Sequence, residues 1–578
     1  MKLHMFVGVL AAIAVATAAL PSRSAAQSEP VKATIPTPQP SPIVAPIPTV
    51  SPGYGAPNAA PTSANIVGVT QQPFVGLGLS DAIGMALLRD PNVAVAASNV
   101  HVATYQIAAA RGAYDTQFVI EPSVKHAINA PQNAFFSGPN FGQIVQNAQS
   151  VQAGVRGQFA NGATYDANVS QSRVDDNTII NAFSPYYLAS FNLSVQQPLL
   201  KGTFSETRRD IELSVVNQDA TTAQTLTTVS STIASVEETY WDLVAAWRNV
   251  AVQEEALRET TDQQRSNVRL ARRGAAAPID AVESSTQVAV FQDNLFAAFE
   301  TVSALQNQLK SLILADPADP IWRANLVPTS PMLPLPTVPP LDAIVATAMQ
   351  NRPELRETND AQKQADINLA YARNQTRPQV DLALNYQGNG FAGNALPPFS
   401  FNPLVPGVPP PPYLVGGFGQ SYTNIGKFPA YQAGVVISEP IGDHTAQANL
   451  AVAHEQVHIA AVQNAGTEER VLLEVRDALQ SYQSALSRLY SARAAREAAT
   501  QVLASENRKF RSGATTTFLV LQRQIELVQD QGREIVAQSA LNKAIVELAR
   551  VDGSILSQNH VTLDTLGTGA LPPSHGGT

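Results

Sequence analysis

Hydrophobic positions along this chain change period in a fixed order, and the order occurs twice. Between Pro198 and Gly274 apolar residues recur at spacings of three and four, as in Ile233, Val236, Tyr240, Leu243, Trp247 and Val250. Between Pro440 and Gly513 the same spacing links Val471, Val475, Leu479, Tyr482, Leu486 and Leu489. Such spacing puts apolar side chains on one face of an α-helix, and neither stretch holds a proline to break it. At 1.5 Å per residue each predicts a rod of roughly 100 Å. A glycine ends each rod, and a shorter helical pattern returns along it: residues 279–314, with Val288, Leu295, Val302, Leu305 and Leu309, and residues 518–556, with Leu541, Ile545 and Leu548. Each half therefore predicts an antiparallel helical hairpin.

Ahead of each rod the period falls to two. Phe118, Ile120, Val124 and Ile128 alternate with Gln117, Glu121, Ser123 and Lys125, and Phe191, Leu193 and Val195 alternate with Asn192, Ser194 and Gln196. The second half repeats this with Val380, Leu382, Leu384 and Tyr386, then residues 431–437. These are half-buried strands. Two more runs, residues 151–159 and 163–171, flank Asn161-Gly162, a hairpin signal. The interval from Arg111 to Pro198 is about 20 residues longer than that from Arg373 to Pro440, so this hairpin reads as an insertion projecting from the rest. That leaves about two membrane-length strands per half and four per chain. Four strands cannot close a barrel, and open edges are forbidden in lipid, so a membrane sheet would need other copies of the chain.

Residue identities support the duplication. Leu79, Ala86, Pro91, Ala103, Ala108, Ala110 and Arg111 recur without a gap as Leu341, Ala348, Pro353, Ala365, Ala370, Ala372 and Arg373. The N-terminus has Lys2, an apolar run from Phe6 to Leu20 and the small-residue exit Ser24-Ala25-Ala26, the pattern of a secretory signal. The organisation expected is a signal peptide at 1–26, a Pro-rich spacer at 27–78, and a first repeat at 79–314 with strands within 115–198 and a helical hairpin at 203–314. A Pro-rich linker at 315–340 follows, then a second repeat at 341–558 with strands within 379–440 and a hairpin at 443–558, and a disordered tail at 559–578. Ser80 or Asp81 is the expected cap of the first helix, and the Gly/Pro-rich segment 388–429 is expected as an exposed loop.

Composition narrows the function. With 37 basic against 46 acidic residues the net charge is −9, which disfavours nucleic acid as a partner. Zero Cys excludes thiol chemistry and a disulfide framework. Charged residues make up 14%, below the roughly 25% of soluble domains, so much surface must be apolar, uncharged or covered by other subunits. No phosphate-binding Gly-Lys-Ser/Thr loop and no nucleophile triad is legible, so no enzymatic activity, cofactor or metal is expected. His454 and His458 stand four apart on a helix, but no further ligand lies near and they read as polar helix-face residues.

Several segments resemble the TolC-like family of outer-membrane efflux proteins. They are Asn351-Arg352-Pro353-Glu354-Leu355, residues 236–243 (Val-Glu-Glu-Thr-Tyr-Trp-Asp-Leu), the strand exit Gln197-Pro198-Leu199-Leu200-Lys201-Gly202 and the closing run from Ala544 to Gly553. The resemblance implies an α+β fold: a duplicated unit of strands plus a long helical hairpin, assembled as a homotrimer. Its β-barrel in the outer-membrane lipid, with four strands per protomer, would stand on a long periplasmic α-helical barrel. It implies an outer-membrane channel for tripartite efflux or type I secretion, with a periplasmic adaptor and an inner-membrane pump as partners. By the same resemblance, the adaptor would dock at the helical tips, Arg272, Arg273, Gly274 and Ala275 in one hairpin and Arg511, Ser512, Gly513, Ala514 and Thr515 in the other. Both glycines are also explained by the helix reversal alone. Family members constrict the tunnel just beyond with acidic residues. Here the positions are Asp280 and Glu283, and Leu519 and Gln522 in the second hairpin, so an acidic ring is depleted and a mixed or apolar gate is expected. Asp280 also suits a helix N-terminus. The competing expectation is a periplasmic or surface coiled-coil scaffold with no pore; a cell-wall hydrolase on a stalk lacks paired carboxylates in a compact domain.

Overall fold

A computed structural model describes residues 73–130, 142–178, 181–274, 277–331, 333, 335, 338–396 and 408–561. The signal peptide, most of the Pro-rich spacer and most of the tail lie outside the described residues.

The rods are continuous. Helix α3 (Glu206–Arg272) has 67 residues and α8 (His444–Arg511) has 68, each about 100 Å long. Their returning partners are α4 (Pro278–Ile313) and α9 (Thr517–Val551). Side-chain caps fix two of the starts: Ser205 accepts from the Arg208 amide of α3, and Thr516 from the Leu519 amide of α9. Short helices precede the strands of each half: α1 (Leu79–Arg89) and α2 (Pro91–Arg111), then α5 (Leu341–Asn351) and α6 (Pro353–Gln375). Helix α2 packs on α3, and α6 packs on both α3 and α8.

The apolar spacing of α3 becomes the main core. Tyr240, Trp241, Leu243 and Trp247 are buried with Phe299, Val302 and Leu309 of α4. Smaller clusters line α8 and α9, around Val471 and Val475 and around Leu489 and Leu541. The two hairpins lie against each other through α3 and α9. Asp242 of α3 accepts from Ser539 Oγ at 2.9 Å and pairs with Lys543 at 3.0 Å, while Gln524 Nε2 donates to Glu259 at 3.2 Å.

The segments expected as spacer and linker are partly structured. Strand β1 (Phe74–Leu77) pairs in parallel with β6 (Asn325–Pro328), whose residues are all buried. The reason is the core beneath: Trp247 Nε1 donates to the Leu326 carbonyl, and the Tyr240 hydroxyl donates to the Leu77 carbonyl while accepting from the Thr329 and Ser330 amides. Helix α1 has Gly78 at its N-cap, and the Leu79 amide is satisfied by Ser330 Oγ at 2.7 Å. Neither Ser80 nor Asp81 caps it.

The remaining strands form one antiparallel sheet in the order β2-β3-β4-β5-β7-β8. They are β2 (Gln117–Asn129), β3 (Ile144–Gln158), β4 (Thr164–Asp176), β5 (Phe183–Pro198), β7 (Gln379–Ala395) and β8 (Phe428–Ser438). Six strands stand where four were expected. The Asn161-Gly162 hairpin is not a projection: β3 pairs with β2 along 13 residue pairs and β4 with β5 along 11. Alternation in sequence gives a strand its faces but not its neighbours, which is why the hairpin was misplaced.

The segment 388–429 is likewise only partly an exposed loop. Strand β7 runs through Gly388, Gly390 and Gly393, and α7 (Phe418–Thr423) packs on β5 and β7. Gly390 is needed there because a Cβ would come 2.0 Å from the Ser421 carbonyl oxygen. Asn424 Nδ2 holds the loop, donating to the carbonyls of Phe391 and Tyr413 at 2.7 Å.

Candidate functional site

Strand register converts the period-two pattern into two walls. Phe118, Val155, Ala167, Leu193, Tyr386 and Tyr431 stand side by side across the six strands, and so do Ile120, Ala153, Val169, Phe191, Gly388 and Pro429. On the opposite face the neighbouring rows read Gln117, Arg156, Asp166, Ser194, Asn385 and Gln432, then Glu121, Gln152, Ser170, Ser190, Asn389 and Phe428. Toward the rods one face is mostly apolar and the other mostly polar, with Val119, Phe428 and Val436 among the exceptions; toward the far end the apolar face takes on His126, Asn147, Gln149, Gln171, Arg173 and Asp175, and the polar face Val174, Leu188 and Phe391. Apart from α7 over the end away from the rods, the chain does not cover the apolar face: Phe118 is 69% exposed, Val124 82% and Tyr431 83%. The polar face is knitted by cross-strand hydrogen bonds: Ser123 to Ser150 at 2.7 Å, Ser170 to Ser190 at 2.6 Å, Asn192 Nδ2 to Asn168 at 3.0 Å and Gln196 Nε2 to Asp381 at 2.8 Å. A sheet with one bare apolar wall and one wet wall suits lipid on one side and an aqueous lumen on the other.

Chain direction ties sheet to rods. Strand β5 leads into α3 through Gly202, whose φ is +89°, and whose amide donates to Asn374 Oδ1 of α6 at 2.8 Å. Strand β8 leads into α8 through Gly442, at φ +91°. The sheet is thereby joined directly to the two longest helices.

At the far ends of the rods lie the two tips. Gly274 and Gly513 have φ of +71° and +75°, and a Cβ on either would meet nothing within 4 Å. Glycine therefore serves the left-handed backbone of the turn, not tight packing within the protomer. At the second tip the Gly513 amide donates to the Phe510 carbonyl and the Ala514 amide to the Lys509 carbonyl, the paired bonds of a Schellman end. Arg272, Arg273, Arg511, Ser512 and Ala514 are exposed; Ala275 lies outside the described residues. Thr515 is tied down: its hydroxyl donates to Glu506, which also receives Lys509 Nζ at 3.2 Å. These contacts, the Thr515 hydroxyl foremost, hold the Glu506 carboxyl below its usual range.

Of the expected gate residues, Asp280 and Glu283 are half-exposed one turn apart near the start of α4, and Leu519 and Gln522 are exposed near the start of α9. Among the described residues no hydrogen bond or ion pair joins one pair to the other. The two pairs hold equivalent positions near the starts of the two returning helices. Three exposed apolar neighbours escaped the sequence reading: Ile279, Val282 and Phe518, each close to 60% exposed. The available signal was an apolar side chain directly after a helix start, off the seam toward the partner helix.

Comparison with known proteins agrees with this geometry. The sequence profile described as outer membrane efflux protein matches residues 344–554. No curated protein matches the chain in sequence. Among solved structures, the CmeC outer membrane channel of Campylobacter jejuni superposes with a TM-score of 0.57 at 15% identity, covering 82% of this chain and 85% of that one. The outer membrane protein VceC of Vibrio cholerae gives 0.57 at 15%, covering 82% and 96%. The open state of the Neisseria gonorrhoeae MtrE outer membrane channel gives 0.55 at 16%, covering 86% and 96%. The outer membrane efflux protein sequence pattern thus covers most of the second repeat, and the fold shared with these outer membrane channels extends over most of the chain.

Proposed function

We propose that three copies of the chain form the outer-membrane channel of a tripartite efflux or type I secretion system, a passive exit duct across the periplasm and the cell outer membrane. The observation that carries this reading is the open sheet with an uncovered apolar wall, joined to rods of about 100 Å. Such a sheet cannot stay open in lipid, and neighbouring copies supply the missing partners. The bare apolar wall also counts against a soluble coiled-coil scaffold, which would leave it in water.

The free tips around Gly274 and Gly513 are the surfaces on which a periplasmic adaptor would dock, with an inner-membrane pump behind it supplying the energy. Asp280, Glu283, Leu519 and Gln522 would line the constriction beyond them. Fractionation tests the reading: a heat-resistant trimer in detergent extracts of the outer membrane is expected, and a soluble periplasmic monomer would overturn it.

A further inference from the structure

We infer that the β3–β4 hairpin is part of the membrane wall, so that three copies close an eighteen-stranded barrel in place of the twelve-stranded one that four strands each would give. The inference rests on the channel reading above.

Three observations carry it. First, the hairpin is internal: β3 and β4 lie between β2 and β5, so removing them from the wall would tear the sheet open at both sides. Second, both strands are long enough, with 15 and 13 residues against the 9–11 or so that a tilted membrane strand needs. Third, they share the walls of their neighbours. Val151, Ala153 and Val155 of β3, with Tyr165, Ala167 and Val169 of β4, continue the apolar face over the part nearest the turn, beyond which that face becomes polar at Asn147, Gln149, Gln171, Arg173 and Asp175; Gln152, Arg156, Asp166 and Ser170 continue the polar face. The turn between them confirms the level at which they end. Gly162 sits against Gly202, where a Cβ would lie 2.4 Å from the Gly202 carbonyl oxygen. The hairpin therefore starts and stops where β5 hands over to α3.

Closure then falls to the two edges, β2 and β8, which have no partner within the described residues. Pairing β2 of one copy with β8 of the next is head-to-tail, and three such contacts close a ring. Strand direction permits it: β2 and β8 run antiparallel, since an even number of alternating strands separates their outer edges. Barrel diameter grows linearly with strand number, so lumen area at the membrane would be roughly twice that of a twelve-stranded wall. Barrels of 16–18 strands enclose open aqueous channels, and the consequence for transport is a higher size limit for hydrated solutes at this level.

The chain has no Cys, so single cysteines carry spin labels cleanly. For strands about 4.8 Å apart and tilted by about 40°, the distance between equivalent residues across the threefold axis is about 30 Å with eighteen strands and about 20 Å with twelve. In the purified trimer in bilayers, Asn192→Cys labels are expected at the longer distance. Val155→Cys labels are expected to collide with oxygen in the lipid, and Gln152→Cys labels with a water-soluble relaxation agent. The shorter distance, with both β3 labels in water, would put the hairpin outside the barrel and overturn this inference while leaving the channel reading intact. Failure of the control pair Leu193→Cys and Asn192→Cys to alternate between lipid and water would overturn both.

Discussion

The two repeats agree in their rods and disagree in their sheets. Helices α3 and α8 differ by one residue in length, as do α4 and α9, whereas the first repeat brings four strands to the large sheet and the second two. Rods that must lie side by side share a length, because a shortfall in one would leave the other's apolar seam bare. A sheet accepts another hairpin wherever register and face alternation are kept. The same contrast appears at single positions. Asp90 and Arg352 occupy equivalent sites just before the repeated proline, yet Asp90 caps α2 through the Asn92 and Val93 amides, while Arg352 is buried in ion pairs with Glu354 and Glu474.

The comparison can be broken most sharply at the cores. Trp247→Ala should cost about 3–5 kcal/mol, chiefly by lost packing, with loss of the indole hydrogen bond to the Leu326 carbonyl, and thermal unfolding of the detergent-solubilised protein should show it. Leu541→Ala in the thinner core of the second repeat should fall at or below the low end of that range; an equal loss would mean the two cores bear load alike. Arg352→Ala removes two ion pairs, leaving Glu474 with Arg550 at 3.9 Å, and should cost about 2–3 kcal/mol, against about 1 kcal/mol for Asp90→Ala, which loses only a cap. Equal effects would erase the distinction between the two sites.

A pH test addresses the first rod. Burial pushes the Glu237 carboxyl up to about 7 from the ordinary 4.5, partly offset by the hydrogen bond from Asn559 Nδ2 at 3.1 Å. The folded chain thus holds this proton more tightly than the unfolded one. Its stabilising contribution is complete below about pH 4.5 and is lost as pH rises through about 7, by about 3 kcal/mol. Unfolding midpoints measured across that window should fall with pH, and Glu237→Gln should flatten the slope. The smallest effect on stability is expected at the tips. Asp280→Ala and Leu519→Ala should leave unfolding nearly unchanged but alter single-channel conductance; unchanged current in both would remove these positions from the constriction.

Most of the helical plan could be read from residue spacing alone, since an apolar seam at three and four over a Pro-free stretch has few other solutions. The small parallel sheet could not. Four-residue strands such as Phe74–Leu77 and Asn325–Pro328 are too short to show a period, and their partner contacts come from Tyr240 and Trp247, distant in sequence. The glycines at 388, 390 and 393 resembled loop composition, although Gly390 and Gly393 answer to the close approach of α7 and Phe183. At the tips the positive φ of Gly274 and Gly513 was legible, while the brace from Thr515 to Glu506 depends on the turn's geometry and was not.

The clasp between Phe74–Leu77 and Asn325–Pro328 bears on the order in which the polypeptide can mature. Nearly all of the largest hydrophobic cluster lies before residue 335; the exceptions are Val546, Ala549, Ile555, Leu556 and Val561 near the C-terminal end. A chain delivered amino end first can therefore assemble most of one half before the other has arrived, leaving the last helices to lock both into place.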